Sequence, residues 1–376
     1  MKTDSAAPAP SKPARIMALD VMRGLTIVCM IIVNNSGGPD SYMQLRHSDW
    51  NGLTLCDLVF PFFLFIMGIT TYLSMASRGF RADRATVVKI LRRTLLILLI
   101  CWALHWFEGL TAGREWYDLS HLRLTGVLTR IALCYCAVSV LALVFRMKGM
   151  IITAIILTCG YGLLLLTGNG FENDLSNVNN IVDRALLAAD HLYTKRPVDP
   201  EGLLGTLPAI AHTIVGFCCG ALLRRHDALS EKLLKLMVCG ALLMAAGWAL
   251  SGLLPINKRV WSPSYLLISC GMAATLLATL SYFIDMRSIR RPFTIFEAFG
   301  VNPLFLYVFA EALGPIARMT SATGGVYGCY LSLLDATPLP AGSLPCAASL
   351  LYSLTLALIM GAIALPLYRR RIYIKI

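Results

Sequence analysis

Residues 54–76 read TLCDLVFPFFLFIMGITTYLSMA, and this stretch decides the class of fold. It is a mostly apolar run of about 20 residues, the length that an α-helix needs to cross a hydrocarbon core about 30 Å thick. Similar runs recur along the chain, and they lack the alternation typical of membrane β-strands. The sequence therefore predicts an all-α polytopic membrane protein with about ten transmembrane helices. The predicted spans are 16–36, 54–76, 87–107, 124–145, 149–168, 207–223, 233–254, 263–284, 293–317 and 346–368.

Composition supports this class. Of the 376 residues, 57% are hydrophobic and 14% are charged, against roughly 45–50% and 25% in a soluble globular domain. The net charge of +12 would indicate nucleic-acid binding only if the basic side chains shared one soluble face. They are instead distributed over the loops between spans, so we expect membrane lipid and no nucleic acid as a partner.

The distribution of basic residues predicts the topology. With a cytoplasmic N-terminus, the inner segments carry more than twice as many Lys and Arg residues as the outer ones, so both termini are predicted to be cytoplasmic. Residues 1–15 are polar and rich in Pro and Ala and lack a cleavage pattern, which predicts a disordered cytoplasmic tail. Residues 16–376 form one transmembrane domain, in which long outer loops at 37–53, 169–206 and 318–345 are expected to be functional.

Most of the 12 cysteines lie inside or at the edge of spans, where cysteine acts as a small apolar side chain. No CxxC or His/Cys spacing is present, so no metal site is predicted. Cys329 and Cys346 bracket an outer loop and are predicted to form a disulfide if the compartment is oxidising. Closing that loop would stabilise the fold by about 3 kcal/mol in the chain-entropy model.

Ionisable side chains at membrane depth are costly and therefore candidates for function. Asp20 and Arg23 are three residues apart on one helix, so an ion pair between them is geometrically available. Arg130 must pair across helices or face a water-filled cavity. The ionisable residues singled out at membrane depth are Asp20, Arg23, Asp57, Arg130, Glu297 and Glu311.

The densest polar cluster lies between the first and second spans, around His47. The pKa of histidine near 6.5 suits a general base at neutral pH, and either Asp49 or Asp57 could orient the ring. The alternative is a solvated loop histidine without a role. His212, inside the sixth span, is a weaker candidate. Pro61 is expected to kink the second span and to free a backbone carbonyl one turn earlier, next to Asp57.

Three cations open the third predicted span on nearly one face of the helix, at Lys89, Arg92 and Arg93. This spacing suits a polyphosphate ligand. It equally suits lipid headgroups or a simple topology signal.

Several of these stretches resemble one family. They are LDVMRGLT at 19–26, VN at 33–34, HSDWNGLT at 47–54, DLVFP at 57–61, GVLTRI at 126–131, DPEGLLGT at 199–206, NKRVWS at 257–262 and GVNP at 300–303. In this order they resemble the heparan-α-glucosaminide N-acetyltransferase family and its bacterial relatives, over essentially the whole membrane region.

The resemblance implies an enzyme that takes the acetyl group of cytoplasmic acetyl-CoA and delivers it to the amine of a glucosamine unit on the other side. It also implies a homodimer, in the inner (cytoplasmic) membrane of a bacterium. The catalytic histidine of the family matches His47. Its first-span asparagine matches Asn34, with Asn35 as the alternative.

Chemical requirements are compatible with this assignment. A base at His47 would deprotonate the attacking amine, and Asn34 or the backbone amides of Gly37 and Gly38 would stabilise the developing oxyanion. Trp50 and Trp261 would stack on the sugar, unless they form an interfacial aromatic belt. The residues assigned to acetyl-CoA are Arg92, Arg93, Arg130 and Asn302, and those assigned to the acceptor are Trp50, Asn51, Glu201 and Trp261.

Two other classes of function remain open. A transporter of an amino sugar or another small solute is compatible with the membrane carboxylates. However, the polar residues crowd the outer ends of the first two spans rather than broken helices at the membrane centre. A membrane scaffold would not require Asp57 or Arg130 inside the bundle.

Overall fold

The computed structural model describes residues 16–193, 196–320, 325–335, 337 and 340–374. Within these ranges the chain forms helices joined by loops and contains no strand. The predicted tail at 1–15 lies outside the described residues. The helices are α1 (Met17–Asn34), α2 (Leu55–Ala76), α3 (Arg84–Thr111), α4 (Val127–Val144), α5 (Met147–Thr167), α6 (Val178–Leu187), α7 (Thr206–Leu223), α8 (Leu229–Leu250), α9 (Pro263–Ser281), α10 (Thr294–Val301), α11 (Pro303–Thr320), α12 (Gly325–Asp335) and α13 (Leu344–Arg369).

The all-α membrane class is confirmed. In the described part of the chain, eight helices are long and apolar enough to cross a membrane, and a ninth span results if α10 and α11 are counted as one. The expected number was about ten. The difference arises at the predicted span 87–107, which is helical as part of α3 but is not among the eight.

The predicted span 293–317 is broken. α10 and α11 meet at an angle of 77° around Asn302. Pro303 opens α11, and a proline lacks the backbone N–H that a continuous helix would need at this point. Asn302 fills the break: its amide donates to the Ile372 carbonyl at 2.9 Å and accepts from the backbone N–H of Ile374 at 2.8 Å. The segment after α13 is thereby attached to the break.

Two helix pairs approach each other closely through small residues. Gly24 on α1 packs against the backbone of Phe296 and Gly300 on α10, and a Cβ at either glycine would overlap a carbonyl oxygen of the other helix. α2 and α7 meet in the same way through Gly68 and Gly216. Such contacts are how membrane helices associate without a hydrophobic driving force.

The predicted disulfide between Cys329 and Cys346 is wrong, because both cysteines are free. The sequence suggested a loop with little to pack. The structure instead places α12 inside that loop and packs it on α13, where the hydroxyl groups of Tyr330 and Thr355 lie 2.5 Å apart. Noncovalent packing holds α12 against α13 without a covalent tie.

Candidate functional site

His47 lies in the loop between α1 and α2, with 47% of its side chain exposed. Its Nδ1 atom lies 2.8 Å from Oδ1 of the buried Asp57. An ionised carboxylate only accepts hydrogen bonds, so this contact favours the proton on Nδ1 and leaves the lone pair on Nε2. The arrangement is that of a base oriented by a carboxylate.

The first turn of α2 positions Asp57. Its Oδ2 atom accepts the backbone N–H groups of Ser48 at 3.2 Å and Thr54 at 3.1 Å, so the carboxylate caps the helix and fixes the His47 loop. Pro61 cannot donate to the Asp57 carbonyl, as the sequence predicts. The hydroxyl of Tyr265 on α9 donates to that carbonyl at 2.6 Å. The proline therefore creates the acceptor by which α9 is attached behind the site.

A second loop, between α8 and α9, brings Lys258 to the same ring. The Nζ atom of Lys258 lies 3.1 Å from both ring nitrogens of His47 and 4.0 Å from Oδ1 of Asp57. Asn257 fixes this loop to the His47 loop, because its amide donates to the side chain of Asn51 at 3.0 Å. The Ile256 carbonyl accepts the backbone N–H of Gly52 at 2.8 Å. The two loops therefore form one unit.

A third segment, before α7, supplies Glu201. Arg123 donates to Oε2 of Glu201 and to Oδ1 of Asp199, each at 2.8 Å, and lies over the Tyr193 ring at 4.7 Å. Burial opposes the charge of Arg123, but the two carboxylates raise its pKa. Burial by itself would raise the pKa of Asp199, but Arg123 and Thr125 outweigh it and lower that pKa. Asp199 is thereby favoured in its ionised form.

These segments enclose a pocket of about 190 Å³. Burial and the charge of Lys258 lower the pKa of His47, against the opposing effect of Asp57 and Glu201. The pocket therefore presents a neutral imidazole among two carboxylates and three cations, which suits a hydroxylated ligand. Its lining residues are His47, Ser48, Asp57, Tyr193, Arg196, Pro200, Glu201, Lys258 and Arg259.

Other residues predicted around His47 lie elsewhere. Asn34 donates to Oε1 of Glu311 on α11 at 2.7 Å, and Asn35 donates to the Ile31 carbonyl of its own helix. Gly37 and Gly38 pack against the rings of Tyr352 and Tyr327 on α13 and α12. The backbone carbonyl of Asp49 accepts a hydrogen bond from Arg196 at 3.2 Å. Of the two acids that could orient His47, Asp57 is the one whose carboxylate contacts the ring.

The two tryptophans that the sequence assigns to the acceptor sugar lie in different surroundings. Trp50 stays near the pocket: its indole donates to the Phe171 carbonyl at 2.6 Å, and Arg259 lies over its ring at 5.9 Å. Trp261 is fully buried, so the prediction that it stacks on a sugar does not fit this structure. The buried Trp261 ring packs edge-on against Phe60, His212 and Tyr265.

Arg130 is also buried, and its side chain contacts residues outside its own helix, as expected for a charged residue at membrane depth. It lies over the Trp261 ring at 5.2 Å and donates to the Gly202 carbonyl at 2.8 Å. It supports the Glu201 segment from beneath. His212 is fully buried against Trp261 and does not line the pocket.

A second pocket, of about 230 Å³, lies further along α2, where Phe63, Ile66, Met67 and Thr70 line it. Arg93 on α3 and Arg23 on α1 supply its charge, whereas the exposed Arg92 is not part of its lining. Arg23 also pairs with Asp20 at 2.9 Å, as their spacing allows. Asn302 is engaged by the backbone of residues 372–374 at the edge of this region. The lining residues are Arg23, Phe63, Ile66, Met67, Thr70, Arg93, Ile97, Leu128, Ile131, Pro303 and Leu304.

A family model described as "Heparan-alpha-glucosaminide N-acetyltransferase, catalytic" matches residues 15–251. This is more than half of the chain, and it includes His47, Asp57 and Glu201. The chain belongs to this family. The family resemblance expected from the sequence is thus confirmed.

Two curated relatives in the heparan-alpha-glucosaminide N-acetyltransferase family align with most of the chain. The human protein of that name is 29% identical over 363 residues, covering 80% of this chain and 53% of the relative. The mouse protein is 28% identical over 367 residues, covering 81% and 54%. The chain therefore spans about half the length of the curated relatives it matches.

Several charged residues of the site had no predicted role, among them Lys258 and Arg123. Lys258 lies beyond the segment that the heparan-alpha-glucosaminide N-acetyltransferase family model matches, inside a stretch singled out for its resemblance. Nothing in its local sequence indicates that it contacts His47. In the sequence, Arg123 resembles an ordinary cation in a loop. Its contact with Glu201 arises only because the fold brings the two residues together.

Proposed function

We propose that this protein is an integral membrane N-acetyltransferase that moves the acetyl group of acetyl-CoA to the amine of a glucosamine-type sugar. One observation carries the proposal: a half-exposed imidazole faces a polar pocket, with its Nδ1 atom on the buried Asp57 carboxylate. Membership in an N-acetyltransferase family supports the reaction class.

The reaction needs a base at this position. A glucosamine nitrogen attacks only as a neutral amine, so Nε2 of His47 takes its proton as the C–N bond forms. The C–S bond of the thioester breaks, and the departing CoA thiolate takes that proton from the imidazolium. In the alternative route His47 first carries the acetyl group on the same Nε2 atom. The overall reaction is the same. Asp57 holds the ring and stabilises the imidazolium in either case.

The acceptor amine fits the Glu201 side of the His47 pocket. A sugar ammonium is attracted by Glu201, whose carboxylate Arg123 holds at 2.8 Å. Trp50 and Asn51 belong to the loop that carries His47, and Arg196 offers donors to sugar hydroxyl oxygens. Lys258 places a cation 3.1 Å from Nε2 of His47.

The donor fits the second pocket, which Arg23 and Arg93 line. Its walls are apolar apart from Arg23, Arg93 and Thr70, which suits a pantetheine arm with its phosphates toward the arginines. An α-helix rises 1.5 Å per residue, so along α2 Phe63 lies about 9 Å and Thr70 about 20 Å from Asp57. A void of about 10 Å³ adjoins the second pocket and shares Phe63, Leu128, Ile131 and Leu304 with it. This is room for about one water, so an acetyl group passes through it only if side chains such as Phe63 move.

The excess of Lys and Arg in the inner loops indicates which side of the membrane each pocket faces. We assign the arginine-lined end to the cytoplasm and the His47 pocket to the opposite side. A homodimer in a bacterial inner membrane completes the proposal, on the strength of the family resemblance.

The test is acetyl transfer by purified protein. With acetyl-CoA and glucosamine we expect release of free CoA thiol and formation of an N-acetylated sugar, whereas glucose, which lacks the amine, should give neither. The sugar product is identified by mass spectrometry. Thiol release that is equal with both sugars would indicate hydrolysis and contradict the proposal. Glucosamine uptake into vesicles without CoA release would support the transporter instead.

A further inference from the structure

Lys258 occupies an unusual position relative to the candidate base. Lys258 is buried, and the contacts described for its ammonium group are with His47 and Asp57. Nζ is equally distant, at 3.1 Å, from Nδ1 and Nε2 of the imidazole. A donor aligned with one ring nitrogen would be clearly closer to that nitrogen than to the other. The ammonium is therefore off both lone-pair axes and acts on the ring mainly as a nearby charge.

The loop that carries Lys258 cannot easily withdraw it. Asn257 accepts the backbone N–H groups of Arg259 and Val260, at 2.8 and 3.2 Å, so the turn is closed by its side chain. The next residue, Trp261, is fully buried. Lys258 is thus held between the turn that Asn257 closes and the buried Trp261, so its charge stays beside the His47 ring.

We propose that Lys258 is a positioning residue that opposes protonation of His47 and so keeps Nε2 available to accept a proton from the amine. This rests on the proposed function, in which His47 is the base. A cation next to an imidazole disfavours the imidazolium form. Asp57 acts in the opposite direction, so the two charges together hold the ring oriented and neutral.

The burial of His47 acts with Lys258 to lower its pKa, against Asp57 and Glu201. Lys258 is the cation whose distance to the ring nitrogens is shortest among the described contacts. The other charged or titratable groups that contact His47 or line its pocket are Cys56 and Asp57 on α2, Tyr193, Arg196 and Glu201 on the segment before α7, and Arg259 beside Lys258.

The experiment measures the titration of His47 without using activity. Diethyl pyrocarbonate modifies neutral imidazole, and mass spectrometry of the His47 peptide at a series of pH values gives the midpoint. We expect Lys258→Met to raise this midpoint by about one pH unit or more. Lys258→Arg should restore the low midpoint, and Lys235→Met, which removes a distant surface lysine, should leave it unchanged. Lys258→Gln replaces Lys258→Met if the latter fails to fold.

Activity provides the second readout. The acidic limb of the kcat/KM profile should move to higher pH in Lys258→Met by the same amount as the His47 midpoint, so the loss is largest at low pH. An unchanged midpoint in a folded charge-removing variant would overturn the role of Lys258. A raised midpoint in a protein that transfers no acetyl group would instead contradict the proposed function and leave the effect of Lys258 on His47 standing.

Discussion

His47 depends on side chains that come from distant parts of the chain. Asp57 is ten residues away, but Lys258 and Glu201 arrive on separate loops. A polar cluster in the sequence indicates the histidine and its nearest carboxylate, because both lie within one short segment. It cannot indicate Lys258, since the pairing of the two loops depends on the Asn257–Asn51 contact.

At this scale we predict that His47→Ala folds and still binds acetyl-CoA but loses at least ~10²-fold in rate, the low end of what general acid–base catalysis contributes. The rate is measured as CoA release with glucosamine, and binding is measured by calorimetry. His121→Ala, at an exposed histidine outside the pocket, is the control and should keep the wild-type rate. Full activity of His47→Ala would exclude the base.

The helices show how far hydrophobic runs predict a membrane fold. Long apolar runs locate α1, α2 and α4 well, because burial in lipid requires them. They do not show the break at Asn302, where a proline and a C-terminal backbone segment decide the local geometry. They also miss α12, an 11-residue helix whose partner is α13.

At the element scale, the close contact of α1 and α10 predicts a strong effect of one methyl group. Gly24→Ala should destabilise the protein by about 1–3 kcal/mol or more, because the new Cβ overlaps the Phe296 carbonyl and the backbones must separate. Thermal unfolding in detergent measures this loss.

Gly160→Ala on α5 is the matched control. A Cβ there meets nothing within 4 Å, so the melting temperature should stay the same or rise slightly, since alanine favours helix more than glycine does. Equal melting temperatures for Gly24→Ala and the wild type would contradict the packing of α1 on α10.

On the scale of the whole molecule, one pocket is lined by Arg23 and Arg93 and another by His47. The apolar composition predicts the bundle, and the loop charges predict its orientation. Neither predicts the small void beside the first of these pockets, which depends on how Phe63, Leu128 and Leu304 pack. The central claim is that acetyl-CoA and the amine enter these pockets from opposite sides.

Acetyl transfer across sealed vesicles tests that claim most directly. With purified protein reconstituted in both orientations, acetyl-CoA trapped inside and glucosamine added outside, we predict an N-acetylated sugar in the outer solution. With both reagents outside, intact vesicles should form no product until detergent opens them. Product formed by intact vesicles with both reagents outside would contradict transfer between two sides.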